Sequence, residues 1–259
     1  MTTTDDYLRY RASYFGKSAI VLDLGCGDGR FVEMLLDGGL NIIGVDIPDA
    51  RPSIEARAAK RPDLDLTLRI SYFEDPERIP LPDSSVDVVI SNTVFEHILT
   101  LNSTVSELAR ILKPGGRVYT VFPLGSAIIE QHCGLPLIHS MESRALRLLY
   151  LKAAKAVGLY RNNASPEAME SYIYNHVFYR RANEISALFA SHFEHVETDA
   201  IAYVEIKGDA LMRDRNWLRR GVGKLLKTSS TAIANFVHIR HSAAFCLYGP
   251  RKSDVPKTL

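Results

Sequence analysis

Long apolar runs, paired cysteines and an excess of one charge are all missing from this chain. No stretch of its 259 residues approaches the roughly 18 uncharged apolar residues of a membrane span. The first residues, MTTTDDYLRYRASYF, have no apolar run of the kind a secretory leader needs, so none is expected there. Only three cysteines occur, Cys26, Cys133 and Cys246, and no two form a CxxC pair. That argues against a disulfide framework and for reduced thiols in a cytoplasmic protein. Lys and Arg total 31 against 30 for Asp and Glu, which excludes a global basic field and leaves no nucleic-acid partner to expect. Internal repeats and low-complexity linkers are also absent.

What is present is an ordinary globular balance, 46% hydrophobic and 24% charged, enough for one large domain with a sizeable core. The first half alternates short buried runs with helical ones. AIVLDLG, NIIGVDI, LDLTLRI, VDVVISN and RVYTVF read as strands, and RFVEMLLDGG, SIEARAAKR and TVSELARIL as helices. This rhythm predicts an α/β fold with a doubly wound, mostly parallel sheet. The second half is less regular. SRALRLLYLKAAKAVGLYR and ANEISALFASHF read as helices, and VETDAIAYVEI and SAAFCLYGP as strands, which makes seven strands in all. YIYNHVFYRR is aromatic-rich and RDRNWLRRGVGKLLK is basic.

VLDLGCGDGR places three glycines at the first strand-to-helix junction. In a doubly wound sheet ligands bind outside the carboxyl ends of the strands, and this turn sits there. Glycine removes the Cβ, so a ligand can lie against the backbone. The second strand ends at Asp46, whose carboxylate suits the two ribose hydroxyls of a nucleoside. The loop is one residue shorter than the dinucleotide G-x-G-x-x-G, and no GK[ST] follows it, which disfavours a nicotinamide cofactor and excludes a P-loop. Asp23 and Asp28 bracket the loop. Carboxylates there repel a pyrophosphate and suit a ligand carrying an ammonium and a sulfonium.

These residues resemble the Class I S-adenosylmethionine-dependent methyltransferases. VLDLGCGDGR is similar to their first motif, GVDI to the acidic ribose-binding strand end, IPLPDSSVDVVISNTVFEHI to the adenine-side loop with the fourth strand, and LARILKPGGRVYTVFP to the helix and fifth strand that close the core. The resemblance covers residues 18–123 and implies a Rossmann-like core binding S-adenosyl-L-methionine and its product S-adenosyl-L-homocysteine. It implies that Asp23, Gly25, Cys26 and Gly27 line the methionine moiety, that Asp46 with Ile47 holds the ribose, and that Asn92 and Thr93 face the reacting methyl. Asp75 is the match for the adenine-binding acid. Pro76 follows it, where the family offers a backbone N–H, so Tyr72, Phe73 and Glu74 are alternatives.

The acceptor should enter beyond the fifth strand. EQHCGLPLIH puts Glu130, His132 and His139 there, and His97 follows the fourth strand. These three histidines are the candidate catalytic bases for an oxygen acceptor, His132 and His139 ahead of His97. No helical i, i+4 histidine pair exists, and no metal ligand is expected. The same block more loosely resembles methyltransferases of surface-polysaccharide and glycan synthesis. That resemblance implies O-methylation of a sugar hydroxyl in a glycan intermediate. The alternatives are a small natural-product or lipid acceptor and a non-catalytic cofactor-binding module. The cofactor core is expected over 1–123, with an acceptor-binding cap from 124–182 and 205–240. The basic stretch 213–227 reads as a solvated helix face, the alternative being peripheral contact with an anionic membrane surface.

Overall fold

A computed structural model describes residues 3–73, 78–160, 162–213, 217–228 and 242–250. An N-terminal helix, α1 (Thr3–Ser13), precedes the sheet. The core then runs β1 (Ile20–Leu24), α2 (Arg30–Asp37), β2 (Asn41–Asp46), α3 (Arg51–Ala58), α4 (Leu66–Arg69), β3 (Ile70–Tyr72), β4 (Val86–Asn92), α5 (Leu101–Ile111) and β5 (Leu112–Phe122). After it come α6 (Arg144–Ala156), α7 (Pro166–His176), α8 (Ala182–His192), β6 (Phe193–Thr198), α9 (Ala200–Met212), α10 (Trp217–Lys227) and β7 (Ala243–Pro250). The seven strands form one sheet in the order β3-β2-β1-β4-β5-β7-β6. Strands β1 to β5 pair in parallel, and β7 runs antiparallel to both neighbours. The sheet is therefore doubly wound and mostly parallel, as the strand–helix rhythm predicts.

The switch point lies at β1, from which the chain winds outward to β2 and β3 and then returns to β4 on the other side. Both sheet faces are covered, so neighbouring residues of one strand enter different cores. Val21, Val88 and Tyr119 pack with Tyr7 of α1, Leu35 of α2 and Tyr203 of α9. Leu22, Val89 and Val118 pack with Leu108 of α5 and Phe189 of α8. A third cluster joins Cys133, Leu135 and Ile138 to Leu151 of α6 and Met169 and Ile173 of α7, giving the segment after β5 a core of its own. In the described part of the second segment, Leu226 instead joins the core beside α1.

Two local expectations are corrected. LDLTLRI forms a helical turn before a strand of only three residues: the chain turns at Asp65 (φ 48), buries Leu66 and leaves Leu68 84% exposed. In VETDAIAYVEI the strand stops at Thr198, and the remainder is α9. Ala200, Tyr203, Val204 and Gly208 are its buried positions, a helical spacing that the apolar run also carries. The basic stretch forms α10, which continues through Gly221 and Gly223. Gly223 lies against the backbone of Gly208 and Met212 of α9, so a side chain there would keep the helices apart.

Candidate active site

The glycine turn is fastened to β2 by Gly25 and Cys26 N–H, which donate to the Val45 carbonyl at 2.8 and 3.3 Å. Gly25, Gly27 and Gly29 have φ of 73°, 57° and 75°, a region in which side-chain-bearing residues are strained. They do different work. A Cβ on Gly25 would collide with Val94, so this glycine lets the segment after β4 close over the turn. A Cβ on Gly27 would meet nothing within 4 Å, so Gly27 is the glycine that leaves open space for a ligand. Cys26 is buried and packs against Gly44 of β2, so only its backbone belongs to the turn.

Asp46 ends β2 with its carboxylate held at the turn. Oδ2 accepts from Gly27 N–H at 2.5 Å and Oδ1 from Ile47 N–H at 2.7 Å. Burial raises its pKa, and these two bonds oppose the rise. Asp23, on β1, is buried and pushed up to about 8, first by burial and then by Asp46 and Asp5. Asp28 departs from expectation because Arg57 takes up its carboxylate. Burial alone would raise its pKa, but Arg57 and the Arg30 N–H hold it below the usual range. The acidic surroundings of the turn are therefore Asp23 and Asp46, since Asp28 is paired with Arg57 and Asp5 with Arg30.

A cleft of about 490 Å³ opens beside these groups. Gly25, Asp46, Ile47, Phe73, Thr93, His97 and Leu99 are among its walls. Asn92 is not a wall: its side-chain amide donates to Asp5 Oδ1 at 3.1 Å and ties β4 to α1. Thr93 does line the cleft, at a φ of 55° that is uncommon for a β-branched residue. The expectation for Asp75 and Pro76 lies outside the described residues. Of the alternatives, Phe73 reaches the cleft, whereas the Tyr72 ring lies under the Arg51 guanidinium.

The histidines separate. A turn at Phe95–His97 positions His97, whose Nδ1 lies 2.7 Å from the His176 carbonyl. That contact makes Nδ1 the donor and leaves Nε2 bare. The ring lies 5.4 Å from that of His132, centre to centre. Tyr172 is 5.2 Å from His132 and 6.0 Å from His97, and His176 is 5.6 Å from Tyr172. His132 Nδ1 is 2.6 Å from Glu130 Oε1, which also accepts from the Tyr179 hydroxyl at 2.6 Å. Glu130 Oε2 accepts from Cys133 N–H at 2.7 Å. Burial would raise the Glu130 pKa, but these donors hold it down at about 2. Glu130 is thus an ionised carboxylate that orients His132 and presents its Nε2. His139 is set apart: its ring packs on Tyr179 at 4.6 Å and borders a different pocket with Met141 and Ile173. Glu130 as an orienting group was not legible in the sequence, because its two side-chain partners lie 2 and 49 residues away.

Among the described residues no group of three His, Cys, Asp or Glu could hold a metal ion, and no helix is long and apolar enough to cross a membrane.

Residues 22–120 match the Methyltransferase domain family. A Mycolicibacterium smegmatis protein named as an S-adenosylmethionine-dependent methyltransferase is 35% identical over 96 residues, covering 37% of this chain and 35% of that protein. A Nitrosococcus oceani ubiquinone biosynthesis O-methyltransferase is 34% identical over 116 residues, covering 44% of this chain and 47% of its own. Both matches span less than half of the relative's length. Among solved structures, a methyltransferase in complex with the Haloferax volcanii Trm112 activator aligns over 96% of this chain and 90% of its own, at 21% identity and a TM-score of 0.52. A Haemonchus contortus N-methyltransferase in complex with S-adenosylhomocysteine aligns over 95% of this chain and 52% of its own, at 17% identity and a TM-score of 0.53. These likenesses establish the fold. The open face at Gly27, the Asp46 carboxylate and the partly apolar cleft suit a nucleoside, and the buried acids suit an ammonium and a sulfonium. Over residues 22–120 the chain is thus similar to the Methyltransferase domain family, and the site beside Gly27 and Asp46 suits S-adenosylmethionine.

Proposed function

We propose that the protein transfers a methyl group from S-adenosylmethionine to a sugar hydroxyl of a glycan or polysaccharide intermediate, with His132 as the base. The observation that carries this reading is the Glu130–His132 dyad, whose imidazole lies 5.4 Å from the cleft-lining His97. Gly27 and Asp23 would face the methionine moiety, Asp46 the ribose, and Ile47 and Phe73 the adenine. When bound, the cofactor supplies a methyl group on a positively charged sulfur.

The chain's own residues supply alignment and proton removal. A neutral sugar hydroxyl is a weak nucleophile, and a positioned base is typically worth ~100- to 10,000-fold. Glu130 fixes the His132 tautomer, so His132 Nε2 is the atom that receives the proton. The rings of His97, Tyr172 and His176 form a wall suited to the flat face of a sugar. The segment 124–182, with its own small core, would close over the acceptor.

A second reading, a lipid or natural-product acceptor, draws support from a groove of about 430 Å³ lined by Leu135, Pro136, Tyr150, Val157 and Leu159. Incubation with methyl-labelled S-adenosylmethionine and a panel of oligosaccharides, nucleotide sugars and polyprenyl-linked sugars, read by mass spectrometry, separates the readings. Label on a sugar hydroxyl is expected, and its loss by at least about 100-fold in His132→Ala. Label confined to non-sugar acceptors would reject the glycan reading. Calorimetric cofactor binding without transfer to any acceptor would favour a binding module.

A further inference from the structure

The Glu96 carboxylate meets no hydrogen-bond donor from another residue. It is 1% exposed, and neither of its oxygens is hydrogen-bonded to a neighbour. A buried, unpaired carboxylate is costly, and native proteins retain such groups mainly where they serve a function. Its surroundings are specific. Glu96 Oε1 lies 3.9 Å from His97 Nε2, the nitrogen left bare by the contact of Nδ1 with the His176 carbonyl. That separation is too long for a hydrogen bond and short enough for a strong charge interaction.

We propose that Glu96 is the counter-charge of the His97–His132 pair, a positioning residue that balances the proton released when the acceptor is methylated. The proposal rests on the histidine-base reading above. In that reaction the oxygen–carbon bond forms as the sulfur–carbon bond breaks, the sulfur keeps the electron pair, and the hydroxyl proton passes to His132 Nε2. One positive charge then enters a half-buried ring cluster that sits beside the buried Glu96. Glu130 already faces His132, Tyr179 and the Cys133 N–H. Glu96 is the carboxylate held in reserve, and its resting isolation is what the mechanism needs.

The charged and titratable groups around it are few. His97 shares its turn, Glu130 and His132 come from the loop after β5, Tyr172 and His176 from α7, and Tyr179 from the segment between α7 and α8. Arg180 is the nearby cation, but its guanidinium donates to the carbonyls of Phe95 and Ile98. Burial lifts Glu96 to about 7, helped by Glu130 and opposed by His132 and its own backbone N–H. Burial lowers His97. Charge can therefore redistribute between the two groups near neutral pH, and their titrations belong to the pair.

The test needs neither acceptor nor cofactor. In protein with ring-labelled histidine, the His97 and His132 carbon shifts are followed by NMR against pH. In the unmodified protein the His97 signal should inflect twice, once for its own proton and once for that of Glu96. In Glu96→Gln the second inflection should vanish, and the proton affinity of His97 or His132 should fall about tenfold, one pH unit. Glu96→Asp keeps the charge and should retain a second inflection. A single inflection in the unmodified protein, or unchanged histidine titrations in Glu96→Gln, overturns the proposal, and the first result stands even if the variant does not fold. Lost label transfer in His132→Ala with unchanged titrations in Glu96→Gln would reject Glu96 alone. Undiminished transfer in both His97→Ala and His132→Ala would reject the base reading, and with it any catalytic use of Glu96.

Discussion

Gly25 and Gly27 have similar backbone conformations and different neighbours, so substitution should separate their roles. Gly25→Ala drives a methyl into Val94 and should reduce folding stability, read by urea denaturation. Gly27→Val should fold better than Gly25→Ala yet lose cofactor affinity, because its side chain enters space that only a ligand occupies. Asp46→Ala should weaken cofactor binding at least about tenfold by calorimetry, since charged hydrogen bonds are worth ~1.5–3 kcal/mol each. Unchanged affinity would remove Asp46 from the ribose site. The sequence alone makes all three residues candidates. It does not reveal that Asp28 is neutralised by Arg57, or that Asn92 is committed to Asp5, because both partners are distant in the chain.

Among the elements, α10 offers the sharpest contrast. Its two glycines lie in one helix with opposite surroundings. Gly223 touches the backbone of α9, and a Cβ there would meet Gly208 O and Met212 N below 3 Å. Gly223→Ala should destabilise by ~1–3 kcal/mol, the usual cost of overpacking. Gly221 has nothing within 4 Å of a built Cβ. Gly221→Ala should stabilise by ~1 kcal/mol through helix propensity. Urea unfolding of the full chain measures both, and cofactor affinity should not change in either. If Gly223→Ala cost nothing, the close packing of α9 and α10 would be wrong.

At the scale of the whole molecule, the buried acids make stability depend on pH in a definite direction. Asp23 rises from 3.8 to about 8 and Glu96 from 4.5 to about 7. The folded state therefore keeps protons that the unfolded state releases, and stability falls as pH rises between the unfolded and folded values. Glu130 works oppositely. Its folded value of about 2 gives stability that is present above 4.5 and is lost only as pH falls toward about 2. Ligand-free protein should thus melt at progressively lower temperature from about pH 5 to about pH 8. Asp23→Asn and Glu96→Gln should each flatten that slope, and saturating S-adenosylmethionine, whose ammonium faces Asp23 in the proposed pose, should flatten it as well. A slope unaltered in both variants would show that these acids do not control it.

The sequence by itself determined the sheet and its ligand end. Buried parallel strands are apolar throughout, and a turn that admits a ligand needs glycines, so both leave local marks in VLDLGCGDGR, NIIGVDI and VDVVISN. It also determined which histidines fall beyond the strands, because position in a doubly wound sheet follows chain order. It could not resolve AIAYVEI, whose apolar residues satisfy both helical and extended spacing until the neighbouring α1 selects the helix face with Tyr203. Only the tertiary structure decided which histidines work together. His97 and His132 meet across 35 residues of chain, while His139, just seven residues beyond His132, faces another pocket. Only the tertiary structure separated Glu130, held ionised by three donors, from Glu96, which meets no donor from another residue. The physical reason is that desolvation and charge act through space: two glutamates of identical intrinsic chemistry differ in pKa because different parts of the chain surround them.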